Sequence, residues 1–268
     1  MEFLVAGVLF VLGAILGSFI NVLISRSVEG EDWVRGRSRC DHCRQQIKWY
    51  DNLPLLSYMV LGGKCRSCQG KIAIQHPIIE LLTGLMLVWW YAIGFTFFRL
   101  VETPLLYIQP VFWLAVGILL LIIFVTDWLY QIIPDFANIT LGVLAVVYRL
   151  YLSLSGVMRW QDFWLALLTG VVMGGLLYLI WVLTRGRGMG LGDVKFALVM
   201  GVLLGWPRAA IALFLAFLLG AVVGIILLLL KWKKPRERIA FGPFLILGTA
   251  LALVWGFEMW SWYWGWLG

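Results

Sequence analysis

The chain has 268 residues, of which 62% are hydrophobic and 13% charged, and its formal net charge is +7. Its mean hydropathy is +0.94. A soluble domain has roughly 45–50% apolar and about 25% charged residues, so this composition excludes a soluble globular protein. We therefore predict an all-α polytopic membrane protein.

Apolar runs long enough for membrane-crossing helices of about 20 residues recur along the chain. The sixth run is short, because the 14 residues from Asp193 to Trp206 would form a helix of only about 21 Å. A bilayer core is about 30 Å thick, so we expect Asp193 to lie below the membrane surface. In total we predict about eight transmembrane helices, near residues 3–25, 78–98, 110–126, 136–154, 162–184, 194–206, 209–230 and 239–257.

Basic residues are concentrated in the connection 26–76, which is the only sizeable soluble segment of the sequence. Cytoplasmic loops carry an excess of Lys and Arg, so we predict that this loop is cytoplasmic. Alternation along eight spans then places 185–192 and 231–238 inside as well, with both termini outside. The nine basic residues of the first loop are Arg26, Arg35, Arg37, Arg39, Arg44, Lys48, Lys64, Arg66 and Lys71.

The same loop contains all four cysteines, as the two pairs Cys40/Cys43 and Cys65/Cys68, with 21 residues between the pairs. Two Cys-x-x-Cys pairs at such a distance are typical of a zinc ribbon rather than of disulfides. Four thiolates close the coordination sphere, so the predicted Zn²⁺ is structural. The basic residues around it suit anionic membrane lipids or a protein partner. Because the loop is tethered to the membrane, we expect no nucleic-acid partner.

Two aspartates lie where apolar spans meet the predicted inner face, Asp127 at the end of span three and Asp193 at the start of span six. An ionisable side chain at membrane depth is costly and marks a functional site by default. Two carboxyl groups on one face form the dyad that aspartic protease chemistry requires. The glycines Gly190 and Gly192 permit close approach of a substrate main chain.

Each acidic residue also has a local interpretation. Asp193 is suited to be a helix N-cap, and Asp135, after Pro134, is expected to be the N-cap of span four. Asp127 follows a helix C-terminus, where a carboxylate opposes the macrodipole, so capping does not explain it. Glu80 suits the dipole near a helix start. Lys195 either tunes the dyad or extends toward the membrane surface.

The motifs in chain order resemble those of the bacterial type IV prepilin peptidase family. Members are leader peptidases and N-methyltransferases of pilus and type II secretion systems. The resemblance covers nearly the whole chain. Its carriers are Gly17–Arg26, the paired cysteines, Ile47–Pro54, His76–Glu80, Asp127 followed by Ile133-Pro134-Asp135, Gly190-x-Gly-Asp193-Val-Lys195, and Phe241-Gly-Pro-Phe244.

This resemblance implies catalytic roles for Asp127 and Asp193 and a metal site at Cys40, Cys43, Cys65 and Cys68. It implies a multi-pass protein of the bacterial inner membrane that cuts the short basic leader of type IV prepilins or pseudopilins at the cytoplasmic face. The resemblance further implies that the protein then methylates the new N-terminal residue with S-adenosylmethionine. The Gly-x-Gly-Asp element is similar to that of presenilin-type intramembrane proteases. Supporting residues would be Gly190, Gly192, Lys195, Asp135 and Glu80.

The resemblance also suggests a division of labour along the chain. Residues 1–109 would form the N-terminal region with the tetra-cysteine loop, and 110–268 a six-span peptidase core. The sequence contains no Rossmann-type glycine fingerprint, so a methyl-donor site would be non-standard, with Glu80 as a candidate residue.

Three alternatives remain open at the level of sequence. The chain could be a leader peptidase without methyltransferase activity, although the intact N-terminal loop argues against this. It could be an ion-coupled transporter that uses the intramembrane aspartates, but the carboxyl groups lie at one face and no internal repeat is visible. It could also be a membrane anchor that recruits a partner through the metal loop, which leaves both aspartates unexplained.

Overall fold

The computed structural model describes residues 2–30, 36–94, 105–232, 234, 237 and 239–267. The described part is helical, and its β-structure is limited to the isolated bridges Arg39↔Gln46 and Lys64↔Lys71. The α-helices are α1 (Glu2–Glu29), α2 (Leu56–Val60), α3 (Gln75–Trp89), α4 (Leu105–Tyr130), α5 (Asp135–Leu154), α6 (Trp160–Leu183), α7 (Leu191–Leu204), α8 (Arg208–Leu229) and α9 (Gly242–Leu267).

Seven helices of the described residues are long and apolar enough to cross a membrane, namely α1, α3 with the π-helical turn that continues it to Gly94, α4, α5, α6, α8 and α9. The predicted all-α membrane fold is therefore confirmed. The sixth predicted span is α7, a helix of 14 residues, which does not qualify by length. Residues 95–98 of the second predicted span and Arg35 of the first loop lie outside the described residues.

The chain divides into two compact units, Met1–Ile118 and Leu119–Gly268. The N-terminal unit is built on the crossing of α1 and α3. A Cβ added at Gly13 would lie 2.6 Å from the carbonyl oxygen of Thr83, and one added at Gly17 would lie 2.7 Å from the Cα of Glu80. Small residues at i and i+4 allow transmembrane helices to approach this closely. The crossing thus holds the two ends of the intervening loop together.

The C-terminal unit is organised around the short helix α7. It packs against α5, α6, α8 and α9, and nine of its 14 residues are buried. Its closest neighbour is α6, because a Cβ added at Gly170 would lie 2.5 Å from Cγ2 of Val202, and one added at Gly201 would lie 2.6 Å from the Cα of Gly170. The glycines therefore set the distance between these two helices.

Arg149 of α5 satisfies the C-terminal end of α7. Its Nε donates to the carbonyl of Val202 at 2.6 Å, and its Nη2 donates to the carbonyl of Leu203 at 3.1 Å. The last carbonyls of any helix have no partner within the helix, and a cation there also complements the macrodipole. No pattern in the sequence indicates this role, because Arg149 and the carbonyls it binds are 53 and 54 positions apart.

The close packing of α6 on α7 leads to a prediction about thermal stability. Gly170→Ala should lower the melting temperature, because the new methyl group overlaps both Val202 and the carbonyl of Leu198; overpacking of this kind costs roughly 1–3 kcal/mol. Gly175→Ala, on the same helix, is the matched control, since a Cβ there has no heavy atom within 4 Å. Thermal unfolding in detergent checks this, and equal melting temperatures for both variants would contradict the close crossing.

Candidate active site

Four helix ends of the C-terminal unit converge on one region: the end of α4 and the starts of α5, α7 and α9. A Cβ added at Gly192 in α7 would lie 3.2 Å from Cβ of Ile133, just before α5. The Nζ of Lys195 in α7 lies 2.7 Å from Oδ1 of Asp135, the first residue of α5. The start of α9 in turn contacts the end of α4. Convergence of these ends brings Asp127 and Asp193 into one neighbourhood.

Asp127 lies in the last turn of α4 and is only 5% exposed. Its carboxyl group packs against Gly242, the first residue of α9, where an added Cβ would lie 2.5 Å from Oδ2. Oδ2 is buried without a hydrogen-bond partner. The absence of a side chain at Gly242 thus makes room for this carboxyl group.

Gly242 belongs to the Phe241-Gly-Pro-Phe244 motif that contributed to the family resemblance, yet sequence reasoning did not include it among the site residues. The pair Gly242-Pro243 at the start of a predicted helix was the feature of the sequence that could have drawn attention to this position. Only the fold shows that the missing side chain makes room for a carboxyl group 115 positions earlier in the chain.

Asp193 is 7% exposed and lies in the first turn of α7. Its Oδ2 accepts the backbone N–H of Gly190 at 3.0 Å. Gly190, not Asp193, is the N-cap of the helix. Asp193 is the third helical residue, and its side chain binds the backbone N–H of the N-cap, as the acidic residue of a capping box does. This bond orients the carboxyl group, which interacts electrostatically with Asp127.

Asp135 and Lys195 form an ion pair beside this region. The expectation that Asp135 is the N-cap of α5 was wrong, because Pro134 occupies that position and makes no side-chain cap. As the first helical residue, Asp135 is still favoured by the macrodipole, and its carboxylate pairs with Lys195 across α5 and α7. Both side chains are more than half exposed, so the pair contributes little to stability.

The N-terminal unit brings the four cysteines together in two equivalent knuckles. In the first, the N–H of Cys40 bonds to the carbonyl of Gln45 at 3.0 Å, and in the second the N–H of Cys65 bonds to the carbonyl of Gly70 at 2.8 Å. Each knuckle is closed by an isolated β-bridge. The residue after each second cysteine, Arg44 or Gln69, has a positive φ, of 55° and 58° respectively.

The four Sγ atoms lie within 4.8 Å of one another and can hold a metal ion. The Sγ atoms of Cys40 and Cys68 are 3.9 Å apart, close to the roughly 3.8 Å edge of a tetrahedron with metal–sulfur bonds of about 2.3 Å. His42 and His76 are not among the clustered ligands. Nε2 of His42 instead lies 3.2 Å from the carbonyl oxygen of Lys71.

A cavity of about 420 Å³ in the N-terminal unit lies between the loop and the ends of α1 and α3. Buried Glu80 lines it, and Oε2 of this residue accepts the N–H of Leu55 at 2.8 Å. Asp51 also lines the cavity, and the hydrogen bond from the Arg66 guanidinium lowers the pKa of Asp51. Sequence reasoning identified Glu80 but missed the Asp51–Arg66 pair, because the partners are 15 positions apart.

Comparison with known proteins identifies the family. Residues 11–93 match the bacterial peptidase A24 N-terminal domain, and residues 114–225 match the type IV leader peptidase family. The prepilin leader peptidase/N-methyltransferase of Aeromonas hydrophila is 30% identical over 292 residues, covering 98% of this chain and 95% of the relative. The chain belongs to the type IV leader peptidase family.

Other relatives of the same name agree. The Pseudomonas aeruginosa protein is 30% identical over 91% of this chain and 88% of its own length. The Legionella pneumophila protein is 32% identical over 85% of this chain and 75% of its own length. No solved structure matches the chain. In this member of the type IV leader peptidase family, Asp127 and Asp193 both lie in the region that matches the leader peptidase model. The four cysteines lie in the region that matches the N-terminal domain.

The geometry of the cysteine cluster predicts one metal ion per chain. Cys65→Ser should remove most of it, because three thiolates and an alcohol bind a thiophilic ion less well than four thiolates. His42→Ala is the control and should retain the ion. Elemental analysis of the purified proteins measures the stoichiometry, and a full complement of metal in Cys65→Ser would exclude the cluster as the binding site.

Proposed function

We propose that this protein removes the leader of type IV prepilins or pseudopilins with Asp127 and Asp193, then methylates the new N-terminal residue. The observation that carries the peptidase assignment is the pair of buried, interacting carboxyl groups at one end of the C-terminal unit. The relatives named as prepilin leader peptidase/N-methyltransferase support both activities. The chain is accordingly an aspartic endopeptidase of the membrane with a second, transferase activity.

In the peptidase step one aspartate is ionised and the other protonated. The ionised carboxylate takes a proton from water, and the resulting hydroxide equivalent attacks the scissile carbonyl carbon while the protonated carboxyl group donates to the carbonyl oxygen. Collapse of the tetrahedral species breaks the C–N bond, and the amine leaves with a proton from the dyad. No nucleophilic side chain is required. The Gly190 bond to Asp193 and the Gly242 contact with Asp127 keep the carboxyl groups oriented.

Access to the dyad supports cleavage of an extended main chain. Gly190 is exposed although Asp193, three residues later, is buried. A substrate strand can therefore approach the backbone beside the carboxyl group, where side chains would otherwise obstruct it. The supporting roles of Gly190 and Gly192 follow from this access, and those of Asp135 and Lys195 from their position beside it.

The orientation follows from the distribution of charge. We propose that the aspartates face the cytoplasm of a bacterial inner membrane, with the termini outside, because the basic loop 26–76 and residues 185–187 would then lie inside. In this arrangement a prepilin helix lies in the bilayer with its leader at the level of the dyad. Residues 1–109 would serve the transferase step and 110–268 the peptidase step.

The metal of the cysteine cluster is proposed to be Zn²⁺ in a structural role. The donor set fits, because four sulfur atoms within 4.8 Å of one another suit the tetrahedral preference of this ion. With all four positions taken by protein, the ion supplies no open site for chemistry. The four cysteines would then join the two knuckles, which otherwise have little apolar core.

The polar cavity of the N-terminal unit is the proposed site for S-adenosylmethionine. Its volume of about 420 Å³ lies in the range of about 300–1,000 Å³ of small-molecule sites. Among its acidic residues, Glu80 suits the positive charge of this ligand, whereas Asp51 is already paired with Arg66. When bound, it supplies an electrophilic methyl group. The chain must position the substrate amine and accept its proton, and Glu80 is the buried carboxylate of this unit suited to that role.

Asp127→Asn and Asp193→Asn should each reduce leader cleavage by roughly 10²–10⁴-fold, because an amide cannot exchange the required proton. Methylation of a synthetic mature N-terminal peptide should persist in both variants. Mass spectrometry of a prepilin incubated with each variant and S-adenosylmethionine measures both reactions. Asp162→Asn is the control, because Asp162 lies at the start of α6 in a solvent-exposed pair with Arg159 and has no role at the dyad. Cleavage at the wild-type rate by either dyad variant would favour the transporter or anchor interpretations.

Glu80→Gln tests the methyl-donor site separately. The substitution keeps the size of the side chain but removes its basicity, so methylation should fall at least tenfold while cleavage stays near the wild-type rate. Asp127 and Asp193 belong to the C-terminal unit, so the cleavage rate serves as the control within the same variant. Equal methylation by Glu80→Gln and wild type would remove Glu80 from the transferase mechanism.

A further inference from the structure

Asn138 is a buried polar residue that the chemistry above does not use. It lies in the first turns of the transmembrane helix α5, is 4% exposed, and its Oδ1 has no hydrogen-bond partner. The only other atom of this kind among the described residues of the C-terminal unit is Oδ2 of Asp127. Burying a polar atom without a partner is unfavourable, and polar residues inside a membrane mark functional sites by default.

The packing of α5 on α7 shows where Asn138 lies. The helices run in the same direction, since Asp135 pairs with Lys195 at one end, a Cβ added at Gly142 would contact Val199 at 3.2 Å, and Arg149 reaches Val202 at the other end. Asn138, Gly142 and Arg149 recur at helical spacing and so share one stripe of α5. Asn138 therefore faces α7 between the levels of Lys195 and Val199.

This level is about one helical turn from Asp193. Side chains on an α-helix lean toward the N-terminus of their own helix, which for α5 is the end where Asp135 meets Lys195. The carboxamide of Asn138 thus leans toward the layer that contains the dyad. A polar group that is nine-tenths buried, whose Oδ1 lacks a partner, and that lies about one helical turn from the level of Asp193 is placed to bind a ligand.

We propose that the side-chain amide of Asn138 binds the main chain of the substrate beside the scissile peptide bond. A transmembrane helix must unwind locally before its peptide bond can reach two carboxyl groups, and the unwinding exposes N–H and C=O groups in a medium where unpaired polar groups are costly. A carboxamide offers a donor and an acceptor and so can pair with one peptide group of an unwound segment. The proposal rests on the proposed peptidase function and names a residue that recognises its substrate.

The test uses Asn138→Leu in the full-length protein, with a prepilin peptide that contains the leader and the apolar segment. Removing a buried, unpaired polar atom should leave the melting temperature equal or higher. Loss of the pairing with substrate should raise KM roughly tenfold, the factor expected for about one hydrogen bond. A residue needed only for folding would give the opposite sign, with a lower melting temperature and an unchanged KM.

Thr249→Val is the matched control, because Thr249 is equally buried but its hydroxyl donates to the carbonyl of Leu245 at 2.7 Å. It should keep the wild-type KM. Asn138→Ala removes the amide without adding bulk, so it must share the rise in KM. Affinity for uncleaved peptide, measured in an Asp193→Asn background, should fall by a similar factor when Asn138→Leu is added.

The outcomes separate the two hypotheses. If wild type does not cleave, or Asp193→Asn cleaves normally, the proposed peptidase function fails. If wild type cleaves and Asp193→Asn does not, the peptidase function stands and the Asn138 variants decide the inference. An unchanged KM and unchanged affinity in both Asn138 variants, or a loss confined to kcat, would overturn the role of Asn138 in binding the substrate main chain.

Discussion

The C-terminal unit depends on a helix that is too short to cross a bilayer. With 14 residues, α7 extends about 21 Å, and both of its ends must be satisfied by protein, since a bilayer core offers no hydrogen bonds. Arg149 binds the carbonyls at one end, and Asp193 binds the N–H of Gly190 at the other. The carboxyl group proposed for catalysis therefore also satisfies one backbone N–H group at the start of its own helix.

Close helix crossings position the remaining parts of the site. In a membrane, association of helices relies on packing rather than on the hydrophobic effect, and small residues permit the closest packing. Gly170 and Gly201 place α6 against α7, and Gly242 places the start of α9 against the carboxyl group of Asp127. In each case an absent side chain creates the contact. A larger residue at Gly242 would have to displace the carboxyl group of Asp127.

In the N-terminal unit, a close helix crossing at glycines supports a loop instead of a short helix. The crossing of α1 and α3 at Gly13 and Gly17 holds the ends of a loop whose large apolar side chains, among them Trp49, Met59 and Val60, are mostly exposed. Two equivalent knuckles gather four sulfur atoms, and a metal ion there would replace the missing core. Glu80, at the base of the loop, supports the backbone of Leu55, whose φ of 60° is unusual for a residue with a side chain. The cavity proposed for the methyl donor lies above this base.

The sequence alone determined the class of the fold and the residues worth examining. Hydropathy identified the membrane helices, because a lipid-exposed segment must have apolar side chains and must satisfy its backbone polar groups within the helix. The shortness of the sixth run already indicated α7. The aspartates stood out because an ionisable group at membrane depth is energetically unfavourable and marks a functional site. The paired cysteines stood out because their spacing is typical of a metal site. Only the tertiary structure could place Gly242 against Asp127 and Arg149 on the end of α7, and put Asn138 on the stripe of α5 that faces α7. The first two contacts join residues 53 to 115 positions apart, and they depend on which helix faces which, a matter of packing that no local pattern encodes.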